Sequence, residues 1–294
     1  MWREDTVNNR QIGIALLSAA TLAFSLLDST IKWLLASIPL MELVWMRFAS
    51  HAVISMVMLV PTYRWSLFQV RNWRLQALRA FLLGTMTLFN FWSIQYLQLT
   101  ETASILFSSP LIVAAISHFW MKEKLARKQW LAIAMGFVGV LIVVRPSSDV
   151  VHPAIFLMVL NAILFAFFGL LTRHLSATEN PGAMQWYSAV GATLMLTPTA
   201  FIDFIWPPGV GHWLLIMSTG LWGSIGHYLW ARAHQYAPSA ILAPFGYQQL
   251  LYMAVAGWLI FGDVPPLAVF IGGAIIVSSG LYLLWQQHER NARA

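Results

Sequence analysis

The stretch at 98–124, QLTETASILFSSPLIVAAISHFWMKEK, has a second version at 235–264, QYAPSAILAPFGYQQLLYMAVAGWLIFGDV. Gln98, Ala103, Ile105 and Leu106 open the first much as Gln235, Ala240, Ile241 and Leu242 open the second. Each copy then carries a proline inside an apolar run, Pro110 and Pro244, and each ends in a carboxylate, Glu123 and Asp263. Outward from these stretches, Lys32 answers to Arg173 and Trp45 to Trp186. The separations are 137 residues for the glutamines, 140 for the acids and 141 for the other two pairs, so one period governs the chain.

Composition says what kind of period this is. The 294 residues are 59% hydrophobic and 10% charged, with a mean hydropathy of +0.68. That is too little charge to cover a water-soluble globule, so the chain is read as an integral membrane protein. A bilayer core takes about 20 apolar residues per helix. Ten such runs are expected, at 12–36, 41–60, 76–96, 102–120, 130–144, 154–172, 184–204, 213–232, 240–261 and 267–285. Five fall in each half, 1–148 and 149–294. Because five is odd, the second copy enters the membrane from the opposite side. The expected fold is therefore all-α, with ten transmembrane helices forming two inverted five-helix repeats around a central cavity, the ground plan of many secondary transporters.

Orientation follows from the basic residues. Arg3, Arg10, Arg64, Arg71, Arg74, Arg79, Lys122, Lys124, Arg127, Lys128, Arg173, Arg232, Arg290 and Arg293 fall in or beside the termini and the even-numbered connections. The odd-numbered connections hold little beyond Arg145, so both termini are expected in the cytoplasm. The formal charge of +6 reports this threading, and no nucleic-acid partner is inferred from it. The chain has no cysteine, which excludes disulfides and thiolate chemistry. The polar start, MWREDTVNNR, shows no cleavable signal.

A tandem of five-helix units, each with a proline and a terminal acid on its fourth helix and glycines on its fifth, resembles the drug/metabolite transporter superfamily, in its ten-helix EamA-type exporter branch. Phe107, Pro110, Glu123, Gly136 and Gly139 carry the likeness best; the second copy has Asp263, Gly272 and Gly273, with Pro244 farther from its acid. The resemblance implies export of a small metabolite by alternating access. Within the branch, the aromatic amino-acid exporters are the preferred subgroup, ahead of other drugs and metabolites. A bacterial inner membrane, a monomeric state and no enzyme activity or cofactor are expected with it.

Several residues are candidates for the transport path. Pro110 and Pro244 each remove a donor from a helix ladder, so they either permit bending or simply kink the helix for packing. An ionisable group in hydrocarbon costs at least ~2.5 kcal/mol and usually faces the bundle interior. Asp28 and Lys32, four apart on the first helix, are expected to pair on one face. With Arg47, roughly 9 Å into the second helix, they are expected to form an outer polar access cluster. Arg173 and His174 are candidates for its inner counterpart, and a positive-inside flank explains Arg173 equally well.

Aromatic stripes at helical spacing run along the third helix (Thr85, Phe89, Trp92, Tyr96) and the eighth (Gly220, Gly223, His227, Trp230, His234). A pocket walled by such faces suits an aromatic solute and can hold an ammonium group. The expected substrate-binding residues are Trp92, His227, Tyr247, Gln248, Phe89 and Trp230. Asn90 and Asn161 are read first as helix-to-helix hydrogen bonds. His227 is also a candidate proton carrier. No Walker loop, HExxH pair or GxSxG elbow is present, so ATP drive, metal binding and hydrolysis have no support, and no channel filter motif is evident.

Overall fold

A computed structural model describes residues 7–120, 127–144, 152–175, 178–202, 204–237, 242 and 245–292. Pro244 and Glu123 lie outside the described residues, as does the side chain of Arg173. The described residues hold eleven α-helices: α1 (Val7–Leu34), α2 (Leu40–Tyr63), α3 (Trp73–Tyr96), α4 (Leu99–Leu106), α5 (Ser109–Trp120), α6 (Arg127–Val144), α7 (Ala154–Leu175), α8 (Pro181–Ala200), α9 (Val210–Tyr236), α10 (Gln248–Phe261) and α11 (Leu267–Ala292). Since α4 and α5 are two pieces of one span, they amount to ten membrane segments. No strand occurs among the described residues.

The break in the fourth span gives Pro110 a different place from the one expected. It does not interrupt a continuous helix. The chain leaves α4 at Leu106, turns through Phe107 and Ser108, and restarts at Ser109. Pro110 is then the second residue of α5, where an N–H would have no helical partner in any case. The start of α4 is fixed by Glu101, whose carboxylate accepts the N–H of Gln98 at 3.1 Å.

Packing follows the repeat. α1 lies against α9 as α7 lies against α3; α2 meets α8, and α6 meets α11. α2 also meets α9 as α8 meets α3, and α1 touches α10 as α7 touches α4 and α5. Exchanging the two halves of the chain maps each of these contacts onto another or onto itself, as an inverted repeat requires. Lipid supplies no hydrophobic drive between helices, so close backbone approach matters more. At the α6–α11 crossing, a Cβ on Gly139 would lie 2.8 Å from the Gly272 carbonyl, and one on Gly272 would lie 2.5 Å from that of Gly139. Only glycine admits this contact.

Candidate functional site

A cavity of about 370 Å³ lies among the mid-portions of the helices, where α1, α3 and α9 converge with the turn between α4 and α5. Both halves contribute. The first supplies Thr21, Phe24 and Asp28 from α1, Arg47 from α2, and Thr87, Asn90 and Phe91 from α3. The second supplies Asn161 and Phe165 from α7, His227 and Trp230 from α9, and Tyr247 at the start of α10. Phe107 and Pro110 close one side. A separate recess of about 450 Å³ beside α5, α6 and α7 is walled by Ile112, Phe137, Val140 and Ile163, with Ser108 its one polar residue. It has little with which to orient a solute.

Asp28 is buried, and Asn90 donates to its Oδ1 at 3.2 Å. Its helix keeps other polar groups quiet locally: the hydroxyls of Thr21, Ser25 and Ser29 each donate to a carbonyl one turn back. Arg47 is equally buried, its guanidinium over the Phe48 ring at 4.2 Å and its Nη1 3.4 Å from His51 Nδ1. A guanidinium can only donate, so His51 Nδ1 accepts and the ring proton sits on Nε2. Asp28 and Arg47 thus share one cavity wall while their hydrogen bonds go to Asn90 and His51, not to each other. The His51 and His227 rings stack at 5.7 Å, and Phe24 meets His227 edge-on at 5.1 Å. Glycines on α9 permit this crowding: a Cβ on Gly223 would come within 3.2 Å of the Arg47 guanidinium.

The structure separates the residues singled out by sequence. His227, Trp230, Tyr247, Pro110, Asp28 and Arg47 line the cavity. Trp92 does not: it is 41% exposed on the outer surface of α3, and Phe89 lies off the cavity as well. The wall-facing residues of α3 are Leu83, Met86, Thr87, Asn90 and Phe91, and Phe89 and Trp92 fall outside that face. One residue of offset rotates a helix face by about 100°, which is enough to move a stripe from pocket to lipid. Gln248 is also off the cavity, its carbonyl accepting the hydroxyl of Tyr252 at 3.1 Å; Gln249 takes its place.

The expected Asp28–Lys32 pair is not formed either. Lys32 reaches past the end of α1 to Asp263 Oδ2 at 2.9 Å and the carbonyl of Leu97 at 3.1 Å, with the Phe261 ring 4.9 Å away. Asp263 is presented by a tight helix end: Gly262 is left-handed at φ 69°, and the N–H of Asp263 returns to the carbonyl of Gly257. The access cluster therefore divides into two cavity residues and one end-of-bundle ion pair. Arg79, expected as a flanking charge, is buried. It donates to Thr172, to the carbonyl of Met184 and to Ser188, and covers the Phe168 ring at 4.5 Å, fastening α3 to α7 and α8.

Asn90 lines the cavity and His51 meets Arg47 at its wall, roles the sequence expectations did not give them. A signal existed for Asn90, since it precedes His227 by 137 residues, the same separation as Gln98 and Gln235. His51 carried none, because nothing in α2 alone reveals a partner on α9.

A model of the EamA-like transporter family matches the chain twice, over residues 11–145 and 152–285. A riboflavin transporter of Vibrio cholerae is 30% identical over 207 residues, which is 69% of this chain and 68% of that protein. The pseudopaline exporter of Pseudomonas aeruginosa is 24% identical over 268 residues, 90% of this chain and 93% of its own length. A solved crystal structure 17% identical superposes with a TM-score of 0.64 over 98% of this chain and 99% of the other, a likeness of fold alone.

Proposed function

This chain belongs to the EamA-like transporter family, and from that premise we propose that it exports small organic solutes bearing an aromatic ring and a charged group, aromatic amino acids first among them. The coarser statement needs no proposal: it is a small-molecule transporter of the membrane. One observation carries the finer reading. Asp28 and Arg47, opposite in charge, line one cavity whose walls are aromatic: Phe24, Phe91, Phe107, Phe165, Trp230 and Tyr247. An ammonium and a carboxylate held at those two residues would leave the side chain among the rings.

In this reading the halves 1–148 and 149–294 rock against each other, with the helix break before Pro110 as one hinge and Pro244 as its partner. Both termini face the cytoplasm of a bacterial cell, the working unit is a monomer, and the solute leaves chemically unchanged. A second reading, a flavin-like ring system as substrate, is favoured by the 30% identity with the riboflavin transporter.

The test is counterflow in proteoliposomes. Vesicles loaded with tryptophan or phenylalanine should take up labelled amino acid saturably, and leucine should compete more weakly. Absence of saturable exchange for every ring-bearing solute, riboflavin included, overturns the proposal.

A further inference from the structure

Asparagine within a membrane helix ordinarily pays its way by hydrogen-bonding a neighbouring helix. Asn161 does not. It is 3% exposed near the middle of α7, and its amide nitrogen makes a long contact, 3.6 Å, with the sulfur of Met158 one turn back on the same helix. Its carbonyl oxygen Oδ1 has no hydrogen-bond partner, yet the residue lines the cavity that also holds Asp28. Placing the N–H groups at the sulfur is the sensible orientation of the amide, because sulfur can only accept from them. That leaves an unmade acceptor, itself buried, on a residue that lines the cavity. A buried acceptor left unmade is costly, so a helix with no structural use for this amide should carry an apolar residue instead.

Resting on the proposed function, we infer that Asn161 determines specificity by accepting a hydrogen bond from an N–H of the solute's ring system. The substrate class is then a ring that carries its own N–H donor, an indole or the ureide edge of a flavin-like heterocycle, in preference to a plain phenyl ring. The two halves of the chain divide the work. Asp28 and Arg47 from the first half hold the charged end, and Asn161 from the second reads the ring. A phenyl solute would leave Asn161 Oδ1 without a partner, whereas a ring N–H would satisfy it, and that difference is the source of discrimination.

Competition against labelled tryptophan in proteoliposomes tests this, comparing wild type with Asn161→Leu, which keeps the branched shape and removes the acceptor. In wild type tryptophan should compete about tenfold better than phenylalanine, the worth of about one hydrogen bond left unmade. In Asn161→Leu that ratio should fall toward one while phenylalanine exchange persists. If Asn161→Leu does not purify as a monodisperse protein, Asn161→Ala serves for the same comparison. An unchanged tryptophan-to-phenylalanine ratio in the folded variant overturns the inference and leaves the transport reading standing. Loss of exchange for both amino acids in a folded variant also overturns it, since that is the mark of a packing role. If wild type exchanges no ring-bearing solute, the transport reading itself falls and takes this inference with it.

Discussion

Glu42 and Glu179 do the same work at opposite ends of the bundle. The carboxylate of Glu42, at the start of α2, accepts the N–H of Ile205 at 2.9 Å in the linker from α8 to α9. The carboxylate of Glu179, just before α8, accepts the N–H groups of Asn72 at 2.8 Å and Arg71 at 3.0 Å in the linker from α2 to α3. The two glutamates are 137 residues apart, and each ties the second helix of its own half to the linker that enters the third helix of the other. Inverted symmetry here reaches individual hydrogen bonds.

That relationship ranks two substitutions. Glu179→Ala strands two linker N–H groups, whereas Glu42→Ala strands one. Hydrogen bonds to a charged group are worth about 1.5–3 kcal/mol each at most. Thermal unfolding in detergent should therefore show a larger drop for Glu179→Ala, and an equal or reversed order would refute the assignment.

The Lys32–Asp263 ion pair joins the end of α1 to the α10–α11 linker, so it should hold the cavity shut at the face opposite the termini. Its side chains are 15% and 25% exposed, and a pair so placed is worth about 1 kcal/mol, or about fivefold in a conformational population. Because the chain has no cysteine, Thr87→Cys gives a unique label site in the cavity. Asp263→Asn should raise its labelling by an impermeant maleimide from that face about fivefold, and the charge swap Lys32→Asp with Asp263→Lys should restore the wild-type rate. Identical labelling in all three would show that the pair gates nothing.

Solute recognition should separate cavity residues from lipid-facing ones. Asp28→Asn removes a charge-assisted contact, which predicts a roughly tenfold to hundredfold rise in half-saturation for an amino-acid solute. Trp92→Ala should change it less than about twofold, because the ring projects away from the cavity and only lipid-facing packing is lost. Equal sensitivity of the two sites would contradict the geometry.

Two glycines should respond oppositely to alanine. Gly272→Ala sets a methyl against the Gly139 carbonyl and should destabilise by about 1–3 kcal/mol despite alanine's better helix propensity. Gly169→Ala meets nothing within 4 Å and should be neutral or slightly stabilising. Melting temperatures of the two purified variants decide it.

Much of the architecture was legible in particular residues, since hydropathy and repeat spacing are properties of consecutive positions. The spacing of Gln98 from Gln235 predicted a pairing of segments, and helix contacts that exchange with the halves now express it. The cavity was legible only in part. His227, Trp230 and Tyr247 were found because they are large and polar-tipped, whereas Phe24, Phe107 and Phe165 look like ordinary membrane residues until neighbouring helices are in place.

Local sequence alone determined that this chain is helical, spans a membrane ten times and does so in two opposed copies, because the transfer of each segment from water depends on its own side chains. Tertiary structure alone decided which faces meet the solute and which charges meet each other. Trp92 and Asn90 are two residues apart yet face different surroundings, and Lys32 passes over a carboxylate four residues away for one 231 residues distant. Rotation of a helix about its axis is set by the shapes of the neighbours it packs against, and those are contributed by remote parts of the chain.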